Sequence, residues 1–384
     1  MFAFVVALGL CGCETTDQRL ERVVAMFKAQ DELLKLDQQA LQLDKSEKYE
    51  EEIVVAKKAL ALGEENFGPD HLAVANSLNN LASPYIKQGQ YAQAEPLYKR
   101  SLAIREKALG PDHPEVATSL NNLAGMYDDQ GQYAQAEPLY KRSLAISEKV
   151  LGPDHPEVAT SLNNLAVLYH KQGQYAQAEL LHKRSLAIRE KALGPDHPDV
   201  AISLNNLAAI YGQQGQYAQA ELLYKRSLAI REKALGPDHS DVASSLNNLA
   251  ELYRKQRQYA QAEPLFKRSL AIWEKVLGPD HPSVAINLNN LATVYSQQDQ
   301  YAQAELLYKR SLAISEKALG PDHPDVATNL NNLAELHYKQ HNYAQAELLL
   351  KRSLAIWEKA LGPDHPNTVM VRQNLAALYA AMGR

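Results

Sequence analysis

Aspartate, histidine and serine are the residues most able to do chemistry here, and they recur along the chain instead of gathering in one place. The dipeptide Asp-His, for example Asp112-His113, occurs eight times and so contains eight of the twelve histidines. A serine such as Ser143 follows the dipeptide at a constant distance in the repeated copies. Each copy therefore holds the residue types of a catalytic triad. Because so many identical triads are implausible, we predict a capping role for Asp or His at a helix start and a packing role for the serine.

Metal and cofactor sites are not expected. Histidines of neighbouring copies should lie about 10 Å apart, whereas zinc needs nitrogens at about 2.0–2.1 Å. His337 and His341 have the spacing of a helical metal pair, but His341 falls in a predicted turn. We therefore interpret them as a surface pair without metal, and expect no catalytic residue, no cofactor and no enzyme activity.

The composition indicates a folded chain with no simple affinity for nucleic acid. Among 384 residues, 40 are Lys or Arg and 45 are Asp or Glu, which gives a net charge of −5. Hydrophobic residues make up 46%, enough to bury a core. Cys11 and Cys13 are the two cysteines, so a disulfide framework or a cysteine zinc site in the rest of the chain is excluded.

A period of 42 residues decides the predicted fold. Asn-Asn-Leu-Ala begins at seven positions 42 residues apart, from Asn79 to Asn331. In one copy Val116, Leu120 and Tyr127 have helical spacing and define helix A, and apolar residues after the Gly131 turn define helix B. Leu-Gly-Pro-Asp-His-Pro ends helix B and opens the next helix A. Such a fixed period is typical of a solenoid.

The combination of Leu120, Leu123, Ala124, Tyr127 and Gly131 resembles the tetratricopeptide repeat, and the 42-residue length resembles the kinesin light chain type. The resemblance implies an all-α, right-handed α-solenoid of stacked helix-turn-helix repeats. We divide the chain into a signal or lipobox-like segment (1–13), a helical or linker segment (14–33), a degenerate first repeat (34–71), seven repeats (72–365) and a C-terminal capping helix (366–384).

The N-terminal apolar run is followed by Leu10-Cys11-Gly12-Cys13, which resembles the lipobox of bacterial lipoproteins. The resemblance implies lipidation of Cys13 and attachment to the bacterial cell envelope, with no other membrane contact. The alternative is an ordinary apolar terminus on a cytoplasmic protein.

Paired asparagines are poor helix formers, yet they lie in the middle of every regular helix A. At 100° per residue they face away from the core stripe, and in a tetratricopeptide solenoid that face lines the concave groove. An amide both donates and accepts, so these residues are candidates to bind the backbone of an extended peptide. The alternative is that the amides bond to each other and set the repeat spacing. The candidates are Asn79, Asn80, Asn121, Asn122, Asn163, Asn164, Asn205, Asn206, Asn247, Asn248, Asn289, Asn290, Asn331 and Asn332.

Groove positions that differ between copies should give specificity. The resemblance to kinesin light chain implies an extended peptide or partner protein as ligand, and we expect a protein-binding scaffold or adaptor. The alternatives are a structural spacer or self-associating solenoid, and the sensor arm of a multidomain effector whose catalytic domain is absent. The specificity candidates are Lys87, Asp128, Lys171, Glu251, Arg254, Lys255, Glu335 and Lys339.

Overall fold

The computed structural model describes residues 16–383, so Cys13 and the lipobox-like segment lie outside the described residues. Within that range the chain forms seventeen α-helices and no strand. None of these helices is long and apolar enough to cross a bilayer. The helices are α1 (Thr16–Lys45), α2 (Tyr49–Phe67), α3 (Leu72–Lys87), α4 (Tyr91–Leu109), α5 (Pro114–Asp129), α6 (Tyr133–Leu151), α7 (Pro156–Lys171), α8 (Tyr175–Leu193), α9 (Pro198–Gln213), α10 (Tyr217–Leu235), α11 (Ser240–Lys255), α12 (Tyr259–Leu277), α13 (Pro282–Gln297), α14 (Tyr301–Leu319), α15 (Pro324–Lys339), α16 (Tyr343–Leu361) and α17 (Pro366–Ala381).

From α3 onward, helices of 16 residues, which are the predicted helices A, alternate with helices B of 19 residues. The all-α solenoid architecture is thus confirmed. Two compact units make up the chain, Met1–Pro111 and Asp112–Arg384. The boundary that we predicted at residues 33 and 34 falls inside α1, which is one continuous helix.

The Asp-His pairs have the structural role that the sequence suggested. Nδ1 of His113 accepts a hydrogen bond from the backbone N–H of Glu115 at 3.2 Å, and so caps α5. Asp112 instead forms an ion pair with Lys149 on α6. The histidine therefore satisfies a free N–H at the helix start, and the aspartate joins the helix-entry turn to the next helix B. The same histidine cap begins each helix A of the described chain, at His71, His113, His155, His197, His239, His281, His323 and His365.

The repeated serine on helix B is a buried packing residue. Ser269 is fully buried, and its hydroxyl donates a hydrogen bond of 2.8 Å to the backbone oxygen of Ala243 on α11. A larger side chain at this position would push the two helices apart. The same bond recurs with an offset of 26 residues at Ser101, Ser143, Ser185, Ser227, Ser311 and Ser353.

In the unit Asp112–Arg384, helices A pack side by side and the stack curves strongly. The turn at Gly131, between α5 and α6, lies next to His365, which caps α17. A Cβ atom placed on Gly131 would be 2.6 Å from Cδ2 of His365. Two segments that are more than 230 residues apart in sequence therefore meet, so the inner surface of this unit is a strongly concave one.

Candidate functional site

The asparagine pairs lie between successive helices A. Nδ2 of the second asparagine in one repeat donates to Oδ1 of the first asparagine in the preceding repeat. These bonds join Asn206 to Asn163 at 2.7 Å, Asn290 to Asn247 at 2.8 Å, Asn332 to Asn289 at 3.2 Å and Asn374 to Asn331 at 2.9 Å. In the unit Met1–Pro111, Asn80 donates to Asp37, which stands at the position of the first asparagine in α1.

This bonding is the alternative role considered for the pairs, and it leaves part of each amide free. An asparagine has two N–H donors and an oxygen with two lone pairs, whereas each inter-repeat bond uses one donor of one residue and one acceptor site of the other. Oδ1 of Asn121 and Oδ1 of Asn205 are buried without a hydrogen-bond partner among the described residues. A buried amide oxygen without a partner is costly, so these two atoms call for a water molecule or a ligand.

One cleft of 380 Å³ in the unit Asp112–Arg384 brings six of the predicted residues together. The side-chain amides of the second asparagine from two successive repeats line this cleft, together with charged residues from positions that differ between copies. Thr293 and Tyr308 complete the wall, and their hydroxyl oxygens are 2.9 Å apart, within hydrogen-bond distance. The six predicted residues are Glu251, Arg254, Asn290, Asn332, Glu335 and Lys339.

The charges of this cleft are arranged in pairs. Nε of Arg254 donates to Glu251 at 2.6 Å, and Nζ of Lys339 lies 2.9 Å from Glu335. Burial raises the pKa of Tyr308 to about 12, so its phenol stays neutral near pH 7 and keeps its proton for donation. The cleft thus offers hydrogen-bond donors and acceptors as well as positive and negative charges, which suits a polar ligand with its own donors and acceptors.

The other specificity candidates lie elsewhere. Nζ of Lys171 is 3.0 Å from Asp128, which is nearly fully buried. Burial raises the pKa of Asp128 above its ordinary value, and the positive charge of Lys171 offsets only part of this increase. In the first unit Lys87 pairs with Asp44. The remaining basic residue of the set, Lys255, lines a second cleft next to the first.

A smaller pocket of 200 Å³ adjoins the cleft, because Glu335 lines both. Its walls include Ala334, Leu350 and Ala377, so it is more apolar than the cleft. We did not predict this pocket, because Leu350 belongs to helix B and Ala377 to α17.

The two other histidines of interest do not form a shared site. His337 is buried in α15, so the prediction of a surface pair is wrong for this residue, and burial lowers its pKa. His341 lies in the following turn with a φ of 60°, and its Nδ1 is 2.9 Å from the hydroxyl of Tyr343. No group of three His, Cys, Asp or Glu residues in the described part of the chain is placed to hold a metal ion.

Comparison with known proteins agrees with this geometry. A tetratricopeptide repeat model matches residues 181–233, 241–317, 307–358 and 325–384, and a second one matches 74–115. The model of the Nephrocystin-3 TPR domain matches residues 98–192. The chain belongs to the tetratricopeptide repeat family. The comparison with curated proteins found no match.

Among solved structures, repeats of a protein described as a kinesin light chain from Podosopora anserina are 32% identical, with a TM-score of 0.46; the match covers 53% of this chain and 97% of that one. BtubC (BKLC) from P. vanneervenii is 23% identical, with a TM-score of 0.46 and coverage of 62% and 92%. The Rap protein complexed with Competence and Sporulation Factor is 15% identical, with a TM-score of 0.55 and coverage of 92% and 99%. The family matches confirm the predicted tetratricopeptide repeat.

Proposed function

We propose that this protein is a non-enzymatic interaction scaffold that binds an extended peptide of a partner protein along the inner faces of its helices A. The observation that carries the proposal is the 380 Å³ cleft, where the amides of Asn290 and Asn332 lie beside Glu251, Arg254 and Glu335. Amides pair with a peptide backbone whatever its sequence, and the charged residues discriminate between side chains. The asparagines therefore bind the peptide backbone, and the charged residues recognise the peptide's side chains.

The adjoining pocket adds a place for one apolar side chain of the peptide. Its volume of 200 Å³ and its walls of Ala334, Leu350 and Ala377 suit an aliphatic or aromatic side chain. Because Glu335 lines both the cleft and the pocket, an extended peptide can occupy them together. The Rap complex supports the proposal at the level of the fold, since that protein is similar in fold and binds Competence and Sporulation Factor.

The alternative function is a structural spacer, in which the asparagines serve only to stack the repeats. The four amide bonds between successive repeats favour it. The two functions predict different results for two neighbouring residues. Asn290 donates to Asn247, whereas Asn248 has no hydrogen bond from its side chain within the described structure.

Asn248→Ala is expected to weaken the binding of a peptide selected from a display library by about fivefold to tenfold without lowering thermal stability. It removes no inter-repeat bond, and it removes an amide that lies one helical turn before the cleft residue Glu251 on the same face of α11. Asn290→Ala is expected to weaken binding and also to destabilise the fold by about 1 kcal/mol. Fluorescence anisotropy and thermal unfolding measure the two effects. Loss of stability in Asn290→Ala together with unchanged binding in both variants would support the spacer.

We also propose, from the lipobox-like sequence, that Cys13 is lipidated and places the protein at a bacterial envelope. Growth with radiolabelled palmitate tests this: wild-type protein should be labelled and the Cys13→Ala variant should not. Label that persists in the variant would contradict it.

A further inference from the structure

Three consecutive turns between helices A and B have lost the glycine that the other regular repeats keep. Gly131, Gly173 and Gly215 have φ between 70° and 76°, in the left-handed region that glycine adopts without strain. The next turns place Arg257 at φ 58° and Asp299 at φ 60°, and His341 follows at 60°. Left-handed backbone is strained for residues with a Cβ, and such strain concentrates at functional sites. The substitutions therefore need a reason other than the turn itself.

The second cleft lies against two of those turns. It has a volume of 530 Å³ and is lined by four cationic side chains and one carboxylate. The hydroxyl of Tyr301 donates to this carboxylate, Asp299, at 2.6 Å. Arg254 and Lys339 also line the 380 Å³ cleft, so the two clefts are continuous. The four cations are Arg254, Lys255, Arg257 and Lys339.

Two of the four cations are uncompensated. Glu251 pairs with Arg254 and Glu335 with Lys339. The side chains of Lys255 and Arg257 have no ion pair or hydrogen bond within residues 16–383. The dipole of α11 accounts for a lysine at its C-terminal residue. It does not account for an arginine placed in a strained turn beyond the helix.

We propose that this cleft binds a phosphoryl group, with Lys255 and Arg257 as the principal ligands and Arg254 beside them. A phosphoryl dianion takes several charge-assisted hydrogen bonds at once, and the forked guanidinium donates two of them in parallel. A single carboxylate would need only one such cation. The phosphoryl group has two possible sources. One is a phosphorylated residue of the bound peptide, and for this source the inference rests on the proposed function. The other source is a free phosphate compound.

Pyrophosphate is the probe, and Arg257→Gly is the variant, because it restores the glycine that the preceding turns have at Gly131, Gly173 and Gly215. Isothermal titration should show that Arg257→Gly lowers the affinity for pyrophosphate at least tenfold, while the unfolding midpoint without ligand stays the same or rises. Asp299→Gly is the matched control: it relieves the same strain, but its affinity for pyrophosphate should be unchanged or higher, because a carboxylate has been removed.

Unchanged pyrophosphate affinity in Arg257→Gly would overturn the proposal. Wild-type binding of pyrophosphate no tighter than that of succinate would overturn it as well, since that result indicates charge screening only. A display-selected peptide that binds more tightly with a phosphoserine than without it, and more tightly than pyrophosphate, assigns the peptide as source; the reverse order assigns a free phosphate compound. Because the pyrophosphate titration uses no peptide, failure of peptide binding remains distinguishable from failure of this site.

Discussion

Leu246→Ala is expected to lower the free energy of unfolding by about 2–5 kcal/mol. Leu246 lies in α11 with 0% of its surface exposed, and it belongs to a buried cluster with Val242, Ala243 and Ile272. Truncation removes buried methyl groups and leaves a cavity between a helix A and its neighbours. Each repeat buries its apolar residues only against adjacent repeats, so the loss falls on the stacking that holds the solenoid together.

Leu222→Ala is the matched control. Leu222 lies in α10 and is 69% exposed, so the same substitution should change the stability by no more than about 0.5 kcal/mol. Denaturant unfolding gives the two values, and hydrogen exchange in α11 shows whether the loss is local, because repeat arrays do not always unfold in one step. Equal effects of the two substitutions would contradict the assignment of the buried face.

The second large effect is a pH dependence caused by His182. This histidine is 1% exposed in α8, at the position that Tyr140, Tyr224 and Phe266 occupy in other repeats. Burial, reinforced by the charges of His170 and Arg189, lowers the pKa of His182 to about 4. Below the unfolded pKa of about 6.5 the unfolded chain binds a proton that the folded chain does not, so stability falls as the pH falls.

His182→Phe should remove this dependence, because Phe266 shows that phenylalanine fits the equivalent position with full burial. Between pH 7 and pH 4 the wild-type protein should lose about 3 kcal/mol more stability than the variant, since one pKa unit corresponds to about 1.4 kcal/mol. Denaturant unfolding at each pH provides the comparison. Parallel pH profiles for the two proteins would show that His182 is not protonated on unfolding in this range.

The repeat and its helices could be predicted from the sequence because their causes are local. Val116, Leu120 and Tyr127 mark one face of a helix, and the glycine and proline of Leu-Gly-Pro-Asp-His-Pro mark where helices end and begin. The packing role of the serine followed from its constant position. The histidine cap is also local, because its acceptor bonds a backbone N–H two residues away.

The details of the candidate site depend on the neighbouring repeats, and one helix does not contain that information. The angle per residue placed both asparagines away from the core, but Asn289 and Asn331 are buried and bond to the next helix A. The cleft lies where three divergent repeats meet. The sequence does contain a signal for the strained turn, because Arg257 replaces the glycine that is found at the equivalent position as Gly131 and Gly215. A repeat pattern is defined by the residues that the copies share, so it does not by itself identify such a difference.

The most direct measurement is photo-crosslinking from inside the cleft. A photoreactive residue at Glu335, which lines both the cleft and the apolar pocket, is compared in native cells with one at Leu306, which is 71% exposed on α14. We predict that position 335 crosslinks to one continuous segment of a partner protein, identified by mass spectrometry, and that position 306 does not. Crosslinks to the same partner at position 306 and none at position 335 would contradict a ligand site on the inner surface.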